Sequence, residues 1–172
     1  MPDGDKTRPT TDRVREATFN ALFSLDAIDG ATFCDLFAGS GALGLEALSR
    51  GAASAVFVER DRAALNALRT NVENLGFDKA ATVVAADSMA WLRRAEAVDV
   101  LLADPPYDFD RWDELFASAN APLVVAESGR PLSPPDGWEV LRERTYGSTV
   151  VAILRPSDPS CPQTPPVEEF HE

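Results

Sequence analysis

Five short runs rich in β-formers, separated by four stretches with helical periodicity, constrain this chain more than any other feature. The runs are Thr32 to Phe37, Ala55 to Val58, Ala81 to Ala85, Val98 to Ala103 and Pro122 to Ala126. Continuous apolar runs of this length read as strands buried on both faces of a parallel sheet. The intervening helices are read over Ala42 to Arg50, Arg62 to Leu75, Ser88 to Arg94 and Phe109 to Ser118, with Leu65, Leu68, Val72 and Leu75 on one face of the second. Such alternation predicts a doubly wound α/β sheet with right-handed crossovers. Two last strands, about Trp138 to Arg144 and Ser148 to Leu154, are separated only by Thr145-Tyr146-Gly147. They should form an antiparallel hairpin at the sheet edge, for about seven strands in all.

Ahead of the first strand, Val14, Ala17, Thr18, Ala21, Leu22 and Leu25 recur at three- and four-residue spacing and predict a helix from about Thr10 to Leu25. The expected organisation is a short lead (1–7), one catalytic domain (8–155) and a tail (156–172). The tail has five prolines, four acids and no Lys or Arg, which reads as disordered. At 172 residues the chain fits one domain. No run of ~18 apolar residues offers a transmembrane helix, the start MPDGDKTRPT lacks the order of a signal peptide, and two cysteines cannot build a disulfide framework. These features predict a cytoplasmic protein without membrane association. A net charge of −12 argues against holding naked nucleic acid mainly by phosphate neutralisation, without excluding RNA as a substrate.

The chemistry-bearing residues begin with Gly39-Ser40-Gly41-Ala42-Leu43-Gly44, which follows the first strand and opens a helix, and Glu59, 20 residues beyond Gly39 at the end of the second strand. Taken literally this is a Rossmann-like fingerprint: glycines admit a ligand close to the backbone and the carboxylate accepts from ribose hydroxyls. Steric need alone also accounts for glycine in a tight βα turn. Asp35, inside the first strand, is expensive to bury without a partner. S-adenosylmethionine offers one, through its ammonium and sulfonium charges, where a dinucleotide does not; a structural Asp bonding loop amides is the competing explanation.

Asp104-Pro105-Pro106-Tyr107 follows the fourth strand, at the carboxyl edge where open α/β sheets bind ligands. The Asp104 carboxylate and the Pro105 carbonyl could hold both N–H groups of a planar amine and favour its pyramidalisation. Pro105 and Pro106 stiffen the backbone, and Tyr107 supplies a face for a flipped base. A proline-stopped strand with a buried Tyr is the plainer alternative. Asp87, with Ser88 and Met89 beside it, could accept from an adenine amine or could simply cap the helix that starts at Ser88. No metal is called for, since Cys161 and His171 both lie in the tail.

Read together, Asp35 to Leu48, Phe57 to Asp61 and Asp104 to Tyr107 resemble the class I S-adenosylmethionine-dependent methyltransferases. Arg8 to Asn20 narrows the resemblance to the RsmD-like family, bacterial enzymes that methylate N2 of a guanine in 16S ribosomal RNA. The resemblance covers about Thr7 to Arg155. It implies that Arg8 to Thr11, Thr10 among them, and the following helix close over the methionine end of the cofactor. It further implies that Asp35, Gly39, Ser40 and Gly41 hold that end, that Glu59 and Arg60 meet the ribose side, and that Asp87 and Ser88 meet the adenine. Asp104, Pro105, Pro106 and Tyr107 would carry catalysis, and Arg8 and Arg13 would touch RNA unless they are solvated at a helix start. The implied partner is 16S rRNA, within an assembled or assembling small subunit, and the implied state a monomer. Family members usually begin with a basic β-hairpin, whereas here MPDGDKT precedes Arg8, so docking on naked RNA is expected to be weak. Rival readings are an amino-methyltransferase for DNA adenine or cytosine or for a protein glutamine, a dinucleotide-dependent oxidoreductase, and a non-catalytic nucleoside-binding module.

Overall fold

The computed structural model describes residues 7–157, with side chains from Thr11 onward. In chain order the elements are α1 (Thr7–Ser24), β1 (Thr32–Asp35), α2 (Ala42–Ser49), β2 (Ser54–Glu59), α3 (Arg62–Asn74), β3 (Ala81–Ala85), α4 (Ser88–Leu92), β4 (Val100–Ala103), α5 (Trp112–Ser118), β5 (Leu123–Ser128), β6 (Trp138–Tyr146) and β7 (Thr149–Pro156). They build a seven-stranded sheet of order β3-β2-β1-β4-β5-β7-β6. β1 to β5 run parallel, and β7 lies antiparallel to both β5 and β6. The α/β architecture expected from the alternating pattern is the one observed.

Strand alternation sends successive side chains to opposite faces, and two cores follow from it. Phe33, Phe57, Leu102, Val125 and Ile153 face one side, where Phe19 and Leu22 of α1, Leu45 and Leu48 of α2, and Leu68 and Val72 of α3 cover them. Cys34, Val58, Leu101, Ala103 and Val124 face the other, under Met89 and Leu92 of α4 and Leu115 and Phe116 of α5. Arg15 ion-pairs with Glu46 across α1 and α2 at 3.6 Å, and Arg50 donates to both Glu46 and Asn20. The order reverses between β1 and β4, so the connections that leave these neighbours diverge to opposite faces and open a crevice at their carboxyl ends.

Several boundaries differ from expectation, each for a local reason. α1 is already helical at Thr7, ahead of Thr10, so the Arg8-to-Thr11 segment belongs to the helix instead of preceding it. β1 stops at Asp35 instead of Phe37, because Leu36 and Phe37 turn out of the sheet toward the glycine loop. α5 starts at Trp112, not Phe109: the segment before it is an irregular loop in which the Phe109 N–H donates to the Pro106 carbonyl at 2.9 Å. Tyr146 pairs with Thr149, so the hairpin loop is Gly147-Ser148, with Gly147 at φ 59° as a tight hairpin turn demands. Pro156, assigned to the tail on sequence, pairs with Trp138 at the end of β7; the rest of the tail, from Asp158, lies outside the described residues.

The packing of α2 onto the sheet depends on Gly44, since a Cβ there would overlap the ring of fully buried Phe57. Gly44→Ala should therefore lower stability by about 1–3 kcal/mol, the range for overfilling a packed core, measured by urea or thermal unfolding.

Candidate active site

The turn between β1 and α2 is held by carboxylates rather than by cations. Asp35 is 1% exposed; one carboxyl oxygen accepts from the Gly44 N–H at 2.9 Å, and the other, equally buried, has no hydrogen-bond partner among the described residues. Gly39 and Gly41 carry φ of 56° and 91°, conformations that only glycine adopts cheaply. A side chain on Gly41 would also meet Leu68. Glu59, at the end of β2, accepts from the N–H groups of Gly39 at 2.8 Å, Arg60 at 2.8 Å and Asp61 at 2.7 Å. It thus locks the β1 and β2 turns to each other, a role the sequence did not suggest.

The Asp104-Pro105-Pro106-Tyr107 loop leaves β4 next to this turn. Its anchor is Phe109, whose ring meets Phe37 edge-on at 5.3 Å and Trp112 at 5.1 Å. Because Phe37 follows β1 and Trp112 opens α5, the loop is clamped from both sides of the switch point. Two clefts share it as a common wall. One, of about 480 Å³, runs along Phe37, Glu59, Arg60, Asp87, Ser88 and Met89. The other, of about 570 Å³, runs along Tyr107, Trp112, Glu127, Gly129, Arg130 and Thr149. Asp104, Pro105 and Pro106 line both. Tyr107 is 88% exposed, not buried, and its ring leans over Gly129, where an added Cβ would lie 2.6 Å from its Cε2.

The remaining sequence-derived candidates divide. Arg60 and Ser88 line the first cleft with Asp87. Asp87 caps α4 by accepting from the Ala90 N–H at 2.9 Å, and Arg60 reaches its other oxygen at 3.4 Å, so the capping explanation holds without removing Asp87 from the cleft. The Ser88 hydroxyl donates to the Leu36 carbonyl, which ties α4 to the β1 turn. Ser40 sits in the glycine turn, where its carbonyl accepts from Asn71 at 3.0 Å. Arg13 is exposed on α1. The side chains of Arg8 and Thr10 lie outside the described residues. Sequence reasoning missed Glu127, Phe37 and Phe109; the first was legible as an acid at the end of the fifth strand, and the other two only through their ring contacts.

Burial sets the titration of these groups. It pushes Asp35 up to about 7, with the Gly44 hydrogen bond opposing and the charges of Asp104 and Glu59 adding. Desolvation raises Asp104 to about 6, and desolvation together with the Asp104 charge raises Glu127 to about 7. None of Asp35, Glu59, Asp104 and Glu127 pairs with a Lys or Arg among the described residues. Cys34 is buried, and burial with the adjacent Asp35 charge drives its thiol far above the ordinary range, so it is no nucleophile at neutral pH.

Comparison with known proteins decides among the folds and families compatible with such a crevice. The family described as conserved hypothetical protein 95 matches residues 1–155. The chain belongs to that family. This is the RsmD-like group expected from the motifs. The chain is 39% identical over 167 residues to ribosomal RNA small subunit methyltransferase D of Escherichia coli K12, covering 90% of this chain and 82% of that one. It is 35% identical over 153 residues to the protein of the same name from Haemophilus influenzae, covering 81% and 78%. A solved structure of the Escherichia coli candidate methyltransferase yhhF superposes with TM-score 0.77 at 36% identity, covering 86% of each chain. The fold is that of the class I methyltransferases.

Within this family member, the unpartnered oxygen of Asp35 gives opposite expectations for stability and binding. A carboxyl raised in the folded state costs nothing below its unfolded value near 4 and costs progressively more as pH rises toward about 7. Asp35→Asn should therefore raise the melting temperature of the cofactor-free protein, most above pH 7. The same variant should bind S-adenosylmethionine at least about tenfold more weakly at pH 8, and should lose the rise in affinity that the wild type gains on passing upward through pH 7. Calorimetric titration across pH 6 to 8 checks both signs.

Proposed function

We propose that this protein transfers a methyl group from S-adenosylmethionine to N2 of a guanine in 16S ribosomal RNA, acting on an assembled or assembling small subunit in the cytoplasm. Residues 8–155 form the methyltransferase domain and act as a monomer. The observation that carries the cofactor half of this reading is the buried, unpartnered oxygen of Asp35 beneath a turn edged with carboxylates. A cationic amino-acid end and a sulfonium relieve that arrangement. The pyrophosphate of a dinucleotide would meet the same carboxylates as like charges, which disfavours an oxidoreductase. The small-subunit methyltransferase names of the relatives support the substrate half.

The cleft edged by Glu59, Arg60, Asp87 and Ser88 takes the nucleoside, with Asp35, Gly39, Ser40, Gly41 and Thr10 at its methionine end. When bound, S-adenosylmethionine supplies an electrophilic methyl group, and transfer forms the C–N bond as the C–S bond breaks with its electron pair left on sulfur. The base enters the neighbouring cleft and stacks on Tyr107. Asp104 and the Pro105 carbonyl accept the two N–H groups of the amine, which draws its lone pair out of conjugation and toward the shared wall. The Asp104 carboxylate then takes the proton that the methylated nitrogen must lose, a role suited to a carboxyl raised to about 6. Pro105 and Pro106 keep these acceptors rigid, so the rate derives chiefly from positioning and fixed dipoles. Arg8 and Arg13 on α1 are proposed to meet the RNA backbone.

Asp104→Ala should reduce turnover by about a hundredfold or more while changing cofactor affinity far less, because the variant loses an acceptor for the base and leaves Asp35 and Glu59 in place. Single-turnover transfer and calorimetry with the same preparation check the two halves; full activity in the variant would refute the role. With a net charge of −12, methylation should be faster on assembled or partly assembled subunits than on naked 16S RNA at equal salt, as measured by methyl incorporation.

A further inference from the structure

Of the acids that line the base-side cleft, Glu127 alone does not also line the cofactor cleft, and the mechanism above leaves it without a task. It ends in the cleft that holds Tyr107 and Gly129, and it does not line the cofactor cleft. The parallel register pairs Ala103 with Ala126, which sets Asp104 and Glu127 side by side, each one residue further along neighbouring strands. The charge of Asp104 acts on it. Its half-buried carboxylate accepts from no hydrogen-bond donor among the described residues, which leaves its acceptor sites open to a group that enters the cleft.

Two adjacent acceptors match one kind of base edge. Guanine presents its ring N1–H directly beside its N2 amine, so donor follows donor. Adenine and cytosine place an unprotonated ring nitrogen beside their amine, so a second carboxylate would face a lone pair. We propose that Glu127 is a specificity-determining residue that accepts the N1–H of the target guanine while Asp104 and the Pro105 carbonyl hold its N2 amine. This rests on the guanine-N2 reading of the site and adds the means by which that base is chosen. Glu127 makes and breaks no bond. Its contribution is the difference between a satisfied donor–acceptor pair and two opposed acceptors, an effect that sites built on buried polar groups use to reject the wrong ligand by orders of magnitude.

The test uses 2-aminopurine, which keeps the 2-amino group and the ring face of guanine but has an unprotonated N1. Small subunits are reconstituted with 16S RNA ligated around a synthetic segment that carries either guanine or 2-aminopurine at the position where the wild type places its methyl group. The wild type should favour guanine by about a hundredfold or more in kcat/KM. In Glu127→Gln the preference should fall to within about tenfold, because the amide can donate to N1 as readily as it accepts from N1–H. Glu127→Asp, which keeps the acceptor, should keep the preference at a lower rate. Cofactor affinity should be unchanged in both, which a merely structural role for Glu127 would not ensure. If Glu127→Gln fails to bind cofactor, Glu127→Ala takes its place in the same comparison. Equal preference in wild type and Gln variant, or no preference in the wild type, overturns the inference. Absence of methylation on guanine-bearing particles by the wild type refutes instead the substrate reading on which it rests.

Discussion

Four carboxylates stand in a row along the carboxyl edge of the sheet, one from each of the neighbouring strands β2, β1, β4 and β5: Glu59, Asp35, Asp104 and Glu127. They lie close enough that Asp104 raises both Asp35 and Glu127. With no Lys or Arg among the described residues pairing any of them, the row concentrates acidic groups that no described cation offsets. Glu59 is the exception that makes the rest tolerable, since three backbone N–H groups satisfy it and fix the glycine turn in the process. On the proposed reading the others receive groups that arrive from outside, a cation at Asp35 and N–H donors at Asp104 and Glu127.

The division into two clefts follows from one anchored loop. Phe109 between Phe37 and Trp112 fixes the segment that begins at Asp104, and that segment separates the space next to Glu59 and Asp87 from the space next to Tyr107 and Glu127. On the proposed reading, a methyl donor on one side and an amine on the other meet past Asp104 and Pro105, which line both clefts. In that reading the rate derives from positioning, since the described site offers no nucleophile of its own.

The sequence carried the architecture because buried parallel strands and amphipathic helices announce themselves by period and length. It carried the glycine turn, Asp35, Glu59 and the Asp104 tetrapeptide because each needs a residue type that a plain sheet would not place there. It lost the start of α5, since Phe109 has the right spacing for a helix and its actual use, as a ring clamp, depends on Phe37 far away in the chain. Glu127 was passed over for a similar reason: an acid at a strand end is common, and only the register beside Asp104 gives it meaning. The triple hydrogen bonding of Glu59 was also hidden, because it arises from two turns converging across the sheet.

On the proposed reading this crevice presents the N2 amine of a guanine to a methyl donor. The most direct measurement supplies isotopically labelled S-adenosylmethionine and small ribosomal subunits lacking the modification, then digests the RNA to nucleosides and locates the label by mass spectrometry. A single labelled product is expected, N2-methylguanosine from 16S RNA. Label on adenine N6, on cytosine N4 or on a ribosomal protein glutamine would contradict it.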